Sequence, residues 1–190
     1  MQAPDGSAVY LRLSTRPIAQ PERVIGEELR RDLLAGGYWV VPPSDGAELA
    51  IVCAGPLAPE AHEAHAQIIE DSPGAGLLAV TSADRLHAGW TAAQRARTQG
   101  AAGAASHVER LLGALGPDAA LVTVIDGHPA SLSWLGGVAG HRAYPLGVEH
   151  FGQSGSLSEL YAHYGLDVNA ILTAAEGLSG RPVRYRFLQK

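Results

Sequence analysis

Short apolar runs alternate with longer amphipathic stretches through the middle of the chain. The runs at residues 49–54, 77–81 and 120–125 are almost continuously apolar, and each is followed by a turn-forming Gly, Ser or Asp. Runs of this length and pattern are typical of strands that are covered on both faces. Because helical stretches separate them, we predict an α/β fold in three layers, α/β/α, around a mostly parallel mixed sheet.

Further elements complete a sheet of five main strands. Strands are predicted at residues 38–41 and 142–148. The strand at 38–41 is expected to run antiparallel to the other four, because the short connection over residues 42–48 and the family resemblance described below both favour this direction. Helices are predicted at residues 27–34, 59–70, 91–115 (with a Gly/Ala-rich interruption near 100–103), 129–138, 156–164 and 168–177.

Two terminal segments lie apart from this sheet. Residues 9–13 alternate like a strand, and Thr15-Arg16-Pro17 then ends the pattern. Residues 182–187 are predicted to add an edge strand or to contact a neighbour. Both segments are therefore assigned outside the five main strands.

The composition indicates a globular chain and excludes several classes of function. Of 190 residues, 46% are hydrophobic and 17% charged, and a net charge of −5 without a Lys/Arg-rich stretch argues against nucleic acid as a partner. No apolar run approaches the ~20 residues that span a bilayer, and the N-terminus lacks a signal-peptide pattern. The single cysteine, Cys53, excludes an internal disulfide and lies in an apolar strand. We therefore expect a cytoplasmic protein without a membrane partner.

Polar residues follow two of the predicted strands. Asp84 comes shortly after the strand at 77–81, and Asp126 and His128 follow the strand at 120–125. Ligands of open α/β sheets collect at the carboxyl ends of the strands, so these three residues are candidates for a small-molecule crevice. Asp-Gly is also an ordinary turn and Asp126 an ordinary helix cap, which favours a structural interpretation. A stand-alone binding or regulatory module that uses this crevice stays open as the alternative function.

Other catalytic patterns are incomplete. His62 and His65 share a face of a predicted helix, but no further ligand lies at metal-binding spacing, so a solvated helix face is favoured. The remaining histidines, His87, His107, His141 and His163, stand singly and are interpreted as surface or satisfied core groups. The sequence has neither a Walker loop nor a Gly-x-Gly-x-x-Gly fingerprint after a strand, and its GQSGS segment misplaces the second glycine of a serine-nucleophile motif. We predict no catalytic, cofactor-binding or metal-binding residue in this chain.

Two segments near the C-terminus carry a family resemblance. Residues 146–155 read LGVEHFGQSG, and residues 160–167 read LYAHYGLD. In this order they resemble the C-terminal domain of thiamine-diphosphate enzymes of the transketolase and pyruvate dehydrogenase kind. The resemblance covers residues 33–178, and residues 8–16 resemble the last strand and exit of the preceding pyrimidine-binding domain. It therefore implies a remnant of that domain at 1–32 and a transketolase C-terminal-like domain at 33–190.

The resemblance implies an accessory role for this chain. In the family, thiamine diphosphate and magnesium lie between the first two domains of a dimer, so both cofactors are expected in the full-length parent and neither in this chain. The implied function is an organising and dimer-contact domain, inactive alone, whose partners are the remaining domains of the parent and a second copy. The parent is either a pyruvate dehydrogenase-like 2-oxo acid dehydrogenase or a transketolase. Residues 80–86 and the helix-rich segment before residue 120 resemble the former more.

The resemblance also assigns the motif residues a packing or interface role. These residues are His150, Phe151, Gly152, Gln153 and Ser154. Phe151 is expected to be buried, Gly152 to permit a tight turn, and Ser154 or Ser156 to cap the next helix. His150 replaces the residue usual before Phe-Gly in the family, so its polar role is left open.

Overall fold

A computed structural model describes residues 14, 16–19 and 22–180. Its sheet has five strands in the order β1-β3-β2-β4-β5, in which β1 is antiparallel to β3 and the other neighbours are parallel. The predicted mixed sheet with helices on both faces is thus confirmed. The strands are β1 (Gly37–Val41), β2 (Ala47–Ala54), β3 (Gly76–Val80), β4 (Leu115–Ile125) and β5 (Arg142–Leu146).

Seven α-helices are present in the described part of the chain. They are α1 (Glu27–Ala35), α2 (Ala58–Asp71), α3 (Ala83–Thr98), α4 (His107–Leu112), α5 (Ala130–Ser133), α6 (Leu157–Tyr164) and α7 (Val168–Ser179). A short 3-10 turn at Gly55–Leu57 precedes α2, and another at Trp134–Gly137 follows α5. None of the helices within the described ranges combines the length and the apolar character that crossing a membrane requires.

The sheet separates two apolar cores because successive strand residues point to opposite faces. On β2, Ile51 and Cys53 pack into the first core, with residues of α2, α6 and α7. Val52 packs into the second core, with residues of α3, α4 and α5. This two-sided burial explains why the middle strands are continuously apolar.

The helical prediction for residues 91–115 is wrong in its bounds. The first helix, α3, already begins at Ala83, and a second helix, α4, begins after the capping box of Ser106 and Glu109. Gly113 follows α4, and Leu115 pairs with Ala47 as the first residue of β4. Apolar spacing in this region continues from helix into strand, so periodicity alone misplaced the boundary.

The helix predicted at 129–138 is also wrong in its length. Only Ala130–Ser133 is α-helical, and Trp134–Gly137 forms a 3-10 turn. A β-carbon on Gly136 would lie 2.9 Å from the β-carbon of Ala143, so this turn lies directly against β5. The strand β5 in turn ends at Leu146 rather than at residue 148. The strands predicted at 9–13 and 182–187 lie outside the described residues.

Candidate functional site

The sheet has one topological switch point, between β2 and β4. From β2 the chain continues to β3, which lies on one side of β2, and then crosses to β4 on the other side of β2. The connections that follow β2 and β4 therefore lead away in opposite directions, which leaves a crevice between them. Such a crevice is the usual ligand site of an open α/β sheet. Here it is flanked by Gly55–Leu57 and by residues 126–128.

Arg16 lies at this crevice. Its Nη1 is 2.8 Å from Glu60 Oε1 and donates a hydrogen bond of 3.2 Å to the carbonyl oxygen of Pro56. The guanidinium carbon lies 5.6 Å from the centre of the Tyr161 ring. Burial, above all, raises the pKa of Tyr161, and the negative charge of Asp126 contributes in the same direction. The chain therefore places its own cation beside Glu60 and Tyr161 at this crevice.

The three crevice candidates do not form one cluster. Asp84 follows β3, accepts a 2.6 Å hydrogen bond from Ser82 Oγ, and has its pKa lowered chiefly by that bond. His128 follows β4, and its Nδ1 accepts a 3.2 Å hydrogen bond from the amide of Ala130 at the start of α5. Because β2 lies between β3 and β4, Asp84 is separated from Asp126 and His128. Asp84 and His128 therefore serve the starts of two different helices.

The motif residues 150–154 lie in a loop that follows the carboxyl end of β5. We call residues 147–155 the motif loop. Its first residue, Gly147, lies so close to the loop after β4 that a β-carbon there would be 2.5 Å from the carbonyl oxygen of Gly127. The amide of Val148 donates a 2.8 Å hydrogen bond to that same oxygen. The start of the motif loop is thus fixed against the neighbouring strand end.

The prediction that Phe151 is buried is wrong. Its relative exposure is 105%, and residues 149–159 are all exposed. The loop leaves the sheet beyond Val148, so in the described part of the chain no element covers the ring. Gly152 has a φ of +117, a conformation that glycine adopts readily, in line with the tight turn expected there. The helix cap is Ser156, whose Oγ accepts from the amide of Glu159 at 3.4 Å.

The motif loop also lies near the end of α6. His150, Phe151 and Gln153 line an open depression of about 340 Å³ together with His163 and Tyr164 of α6. The rings of His163 and Tyr164 meet edge to face, with centroids 4.9 Å apart. Gly152 and Ser154 do not line the depression, whose residues combine aromatic surface with polar edges. This mixture is suited to contact with another protein surface.

The histidine pair of α2 separates in the structure. His62 is exposed, whereas His65 is buried and its Nε2 lies 2.8 Å from the carbonyl oxygen of Ala75. The solvated face predicted for both is therefore wrong for His65. Within the described ranges, no three His, Cys, Asp or Glu side chains come together to hold a metal ion. Burial raises the pKa of Cys53 to about 12, in line with an inert thiol within a strand.

Sequence reasoning missed the residues that meet at the switch point. In the sequence, Arg16 belongs only to the break after residues 9–13. Tyr161 belongs only to the segment at 160–167 that carries the family resemblance. Their contact spans most of the described chain, and neither residue belongs to a pattern that marks such a pair. Helical spacing does place Tyr161 on the buried face of α6, which was the one available signal.

The sheet order, the antiparallel β1 and the motif loop after β5 together define a transketolase-like C-terminal-domain fold. Transketolase from Leishmania mexicana superposes with a TM-score of 0.57 at 18% identity, over 81% of this chain and 20% of that one. Transketolase from Campylobacter jejuni gives 0.56 at 17% identity, over 85% of this chain and 20% of that one. A split-gene transketolase described as an inactive β4 tetramer gives 0.52 at 15% identity, over 76% of this chain and 42% of that one.

These similarities concern the fold. The chain spans about a fifth of the length of the two full transketolases and about two-fifths of the split-gene chain. A scan of the sequence against known protein families finds no match. A search of curated proteins finds no match either.

Proposed function

We propose that this chain is an organising and chain-contact domain of a thiamine-diphosphate-dependent enzyme and has no catalytic activity alone. Its fold is that of a transketolase domain, and the similar structures extend well beyond the part that this chain matches. In this proposal residues 1–32 belong to the preceding pyrimidine-binding domain. The partners are the remaining domains of the parent enzyme and a second copy of the chain, in the cytoplasm.

The exposure of Phe151 is the observation that carries this proposal. A phenylalanine at 105% relative exposure contributes its whole ring to solvent. Leu157, six residues further on, is 42% exposed on the same segment. Aromatic side chains are enriched at the buried centres of protein interfaces, where they supply much of the binding energy. The motif loop, held at Gly147 and projecting at Phe151, therefore has the form of a contact element.

In this proposal, magnesium and thiamine diphosphate bind to the other domains of the parent. Magnesium in such sites takes carboxylate and phosphate oxygens, and the described residues contain no suitable cluster. The switch-point crevice contains the Arg16–Glu60 ion pair. Of the two parent classes, we favour a pyruvate dehydrogenase-like enzyme over a transketolase on the resemblance of residues 80–86.

Self-association of the purified chain tests the contact role. Sedimentation equilibrium is expected to show a dimer for the wild type and a monomer for Phe151→Asp. Thermal stability is expected to be unchanged at concentrations at which both proteins are monomeric. Gln94→Glu adds the same charge on the exposed side of α3 and is expected to leave the dimer intact. A wild-type chain that stays monomeric at the highest concentration contradicts the homodimer.

Complementation tests the parent enzyme. With saturating thiamine diphosphate and magnesium, the chain alone is expected to show neither pyruvate decarboxylation nor ketol transfer. Addition of a protein that supplies the two cofactor-binding domains is expected to produce one of these activities, and Phe151→Asp to reduce it. Turnover by the chain alone that disappears in Asp126→Asn or His128→Gln contradicts the proposal and identifies the crevice as an active site.

A further inference from the structure

A cavity of about 620 Å³ lies on the first face of the sheet, away from the motif loop. Its floor includes Tyr38 and Val40 of β1 and Ala79 of β3, and Ala58 at the start of α2 forms one wall. Helices α2 and α7 pack on β2 to β5, whereas the side over β1 is closed by Ile18, Ala19, Ile25 and α1. The cavity therefore lies between the sheet, α2 and this closing segment with α1.

The walls of the cavity are mostly apolar. Leu29 and Leu33 of α1 face Val40 and Ala79 across it. Pockets of 300–1,000 Å³ with apolar walls and a few convergent polar groups are typical of small-molecule sites. The size and the lining therefore suit a ligand with an apolar body.

One cation faces this apolar space. Among the described residues that line the cavity, Arg23 is the only charged one, and its guanidinium carbon lies 5.4 Å from the centre of the Tyr38 ring. His62 of α2 is a neighbour of Arg23. Burial first, and then the charges of Arg23 and His65, lower the pKa of His62, so its ring is neutral at pH 7. The cavity thus combines one positive charge with one neutral imidazole, and none of the described residues that line it carries a carboxylate.

We propose that this cavity binds a small monocarboxylate with an apolar body. The carboxylate meets the guanidinium of Arg23 and the ring of His62, because charge-assisted hydrogen bonds from arginine to carboxylate are strong and directional. The apolar body lies on Val40, Ala79 and Leu29. A cationic ligand is disfavoured by Arg23, and a fully polar one by the walls. This inference is independent of the contact role of the motif loop.

Octanoate is the probe, with octanamide as its uncharged counterpart. Isothermal titration is expected to show octanoate binding about tenfold more tightly than octanamide, the equivalent of one charge-assisted contact. Amide chemical-shift changes on titration are expected at Tyr38, Val40 and Ala79. Shift changes confined to another surface, or no saturable binding of octanoate, overturn the proposal.

Two variants and one control make the test specific. Arg23→Gln removes the charge on an exposed side chain, and it is expected to weaken octanoate about tenfold and leave octanamide unchanged. Arg30→Gln, on the exposed side of α1, is the matched control and is expected to change neither ligand. Ala58→Phe fills the cavity and is expected to abolish binding of both. Equal octanoate affinity in wild type and Arg23→Gln overturns the proposal even if the filled variant fails to fold.

Discussion

Arg16 and Glu60 form an ion pair of 2.8 Å that joins residues 44 positions apart in the chain. The pair connects the segment before α1 to the first turn of α2, and the Tyr161 ring lies 5.6 Å from the same guanidinium. Both charged side chains are partly buried, at 23% and 15% exposure. The contact therefore holds the incoming chain at the switch point of the sheet.

Arg16→Gln is expected to lower the free energy of unfolding by about 1–2 kcal/mol, because it removes hydrogen bonds to a charged group. Urea unfolding measures the loss. Glu60→Gln and the double variant complete a cycle in which the two losses are expected to be less than additive. Arg30→Gln, an exposed arginine on α1, is the control. Additive losses contradict a direct interaction.

Gly147→Ala is expected to destabilise the fold by about 1–3 kcal/mol, the usual result of forcing an extra carbon into a closely packed place. The added carbon would lie 2.5 Å from Gly127 O and 2.7 Å from Pro129 N, both backbone atoms. Gly89→Ala is the matched control, since nothing lies within 4 Å of its added carbon. At that position in α3 the change is expected to stabilise by up to about 1 kcal/mol. Equal melting temperatures for the two variants contradict the close approach.

Acid is expected to destabilise the protein partly through Glu109. The hydrogen bond from Arg97, more than the bonds from Ser106, lowers the pKa of this carboxyl from 4.5 to about 2, although burial opposes the shift. A lowered pKa means that the stabilisation is present above pH 4.5 and disappears as the pH falls from 4.5 towards 2. Between pH 4.5 and 2, the urea midpoint of Glu109→Gln is expected to fall less steeply with pH than that of the wild type. Glu63→Gln, an exposed carboxyl on α2, is expected to keep the wild-type slope.

Phe151→Ala is expected to change the stability of the monomeric chain by less than about 0.5 kcal/mol, as for most exposed positions. The ring is fully exposed, so its truncation leaves no cavity. Thermal unfolding at low protein concentration measures the effect. A loss of ~3–5 kcal/mol, typical of a buried aromatic residue, would restore the prediction of burial made from the sequence.

Several features of the fold follow from local pattern. The continuous apolar run of β2 predicted a strand covered on both faces, and the short connection from β1 predicted its antiparallel direction. The helix cap, predicted at Ser154 or Ser156, lies at Ser156. These predictions succeed because strand period, helix caps and turn residues act over a few neighbouring positions.

Other features were decided by contacts between distant parts of the chain. Helix α4 ends at Leu112, and β4 begins at Leu115, which pairs with Ala47 although its apolar spacing continues that of the helix. Phe151 has the hydrophobicity of a core residue but projects, because the loop leaves the sheet after Gly147.

Periodicity and short spacings are enough to predict the layered α/β class, and with the family resemblance they predict the direction of β1. The contact between Arg16 and Glu60 and the separation of Asp84 from Asp126 cannot be read from such local patterns. Those relationships depend on strand order, which places residues far apart in sequence side by side and inserts β2 between β3 and β4. The physical reason is that burial of two apolar faces selects the sheet, while the order of strands selects which polar residues meet at its edge.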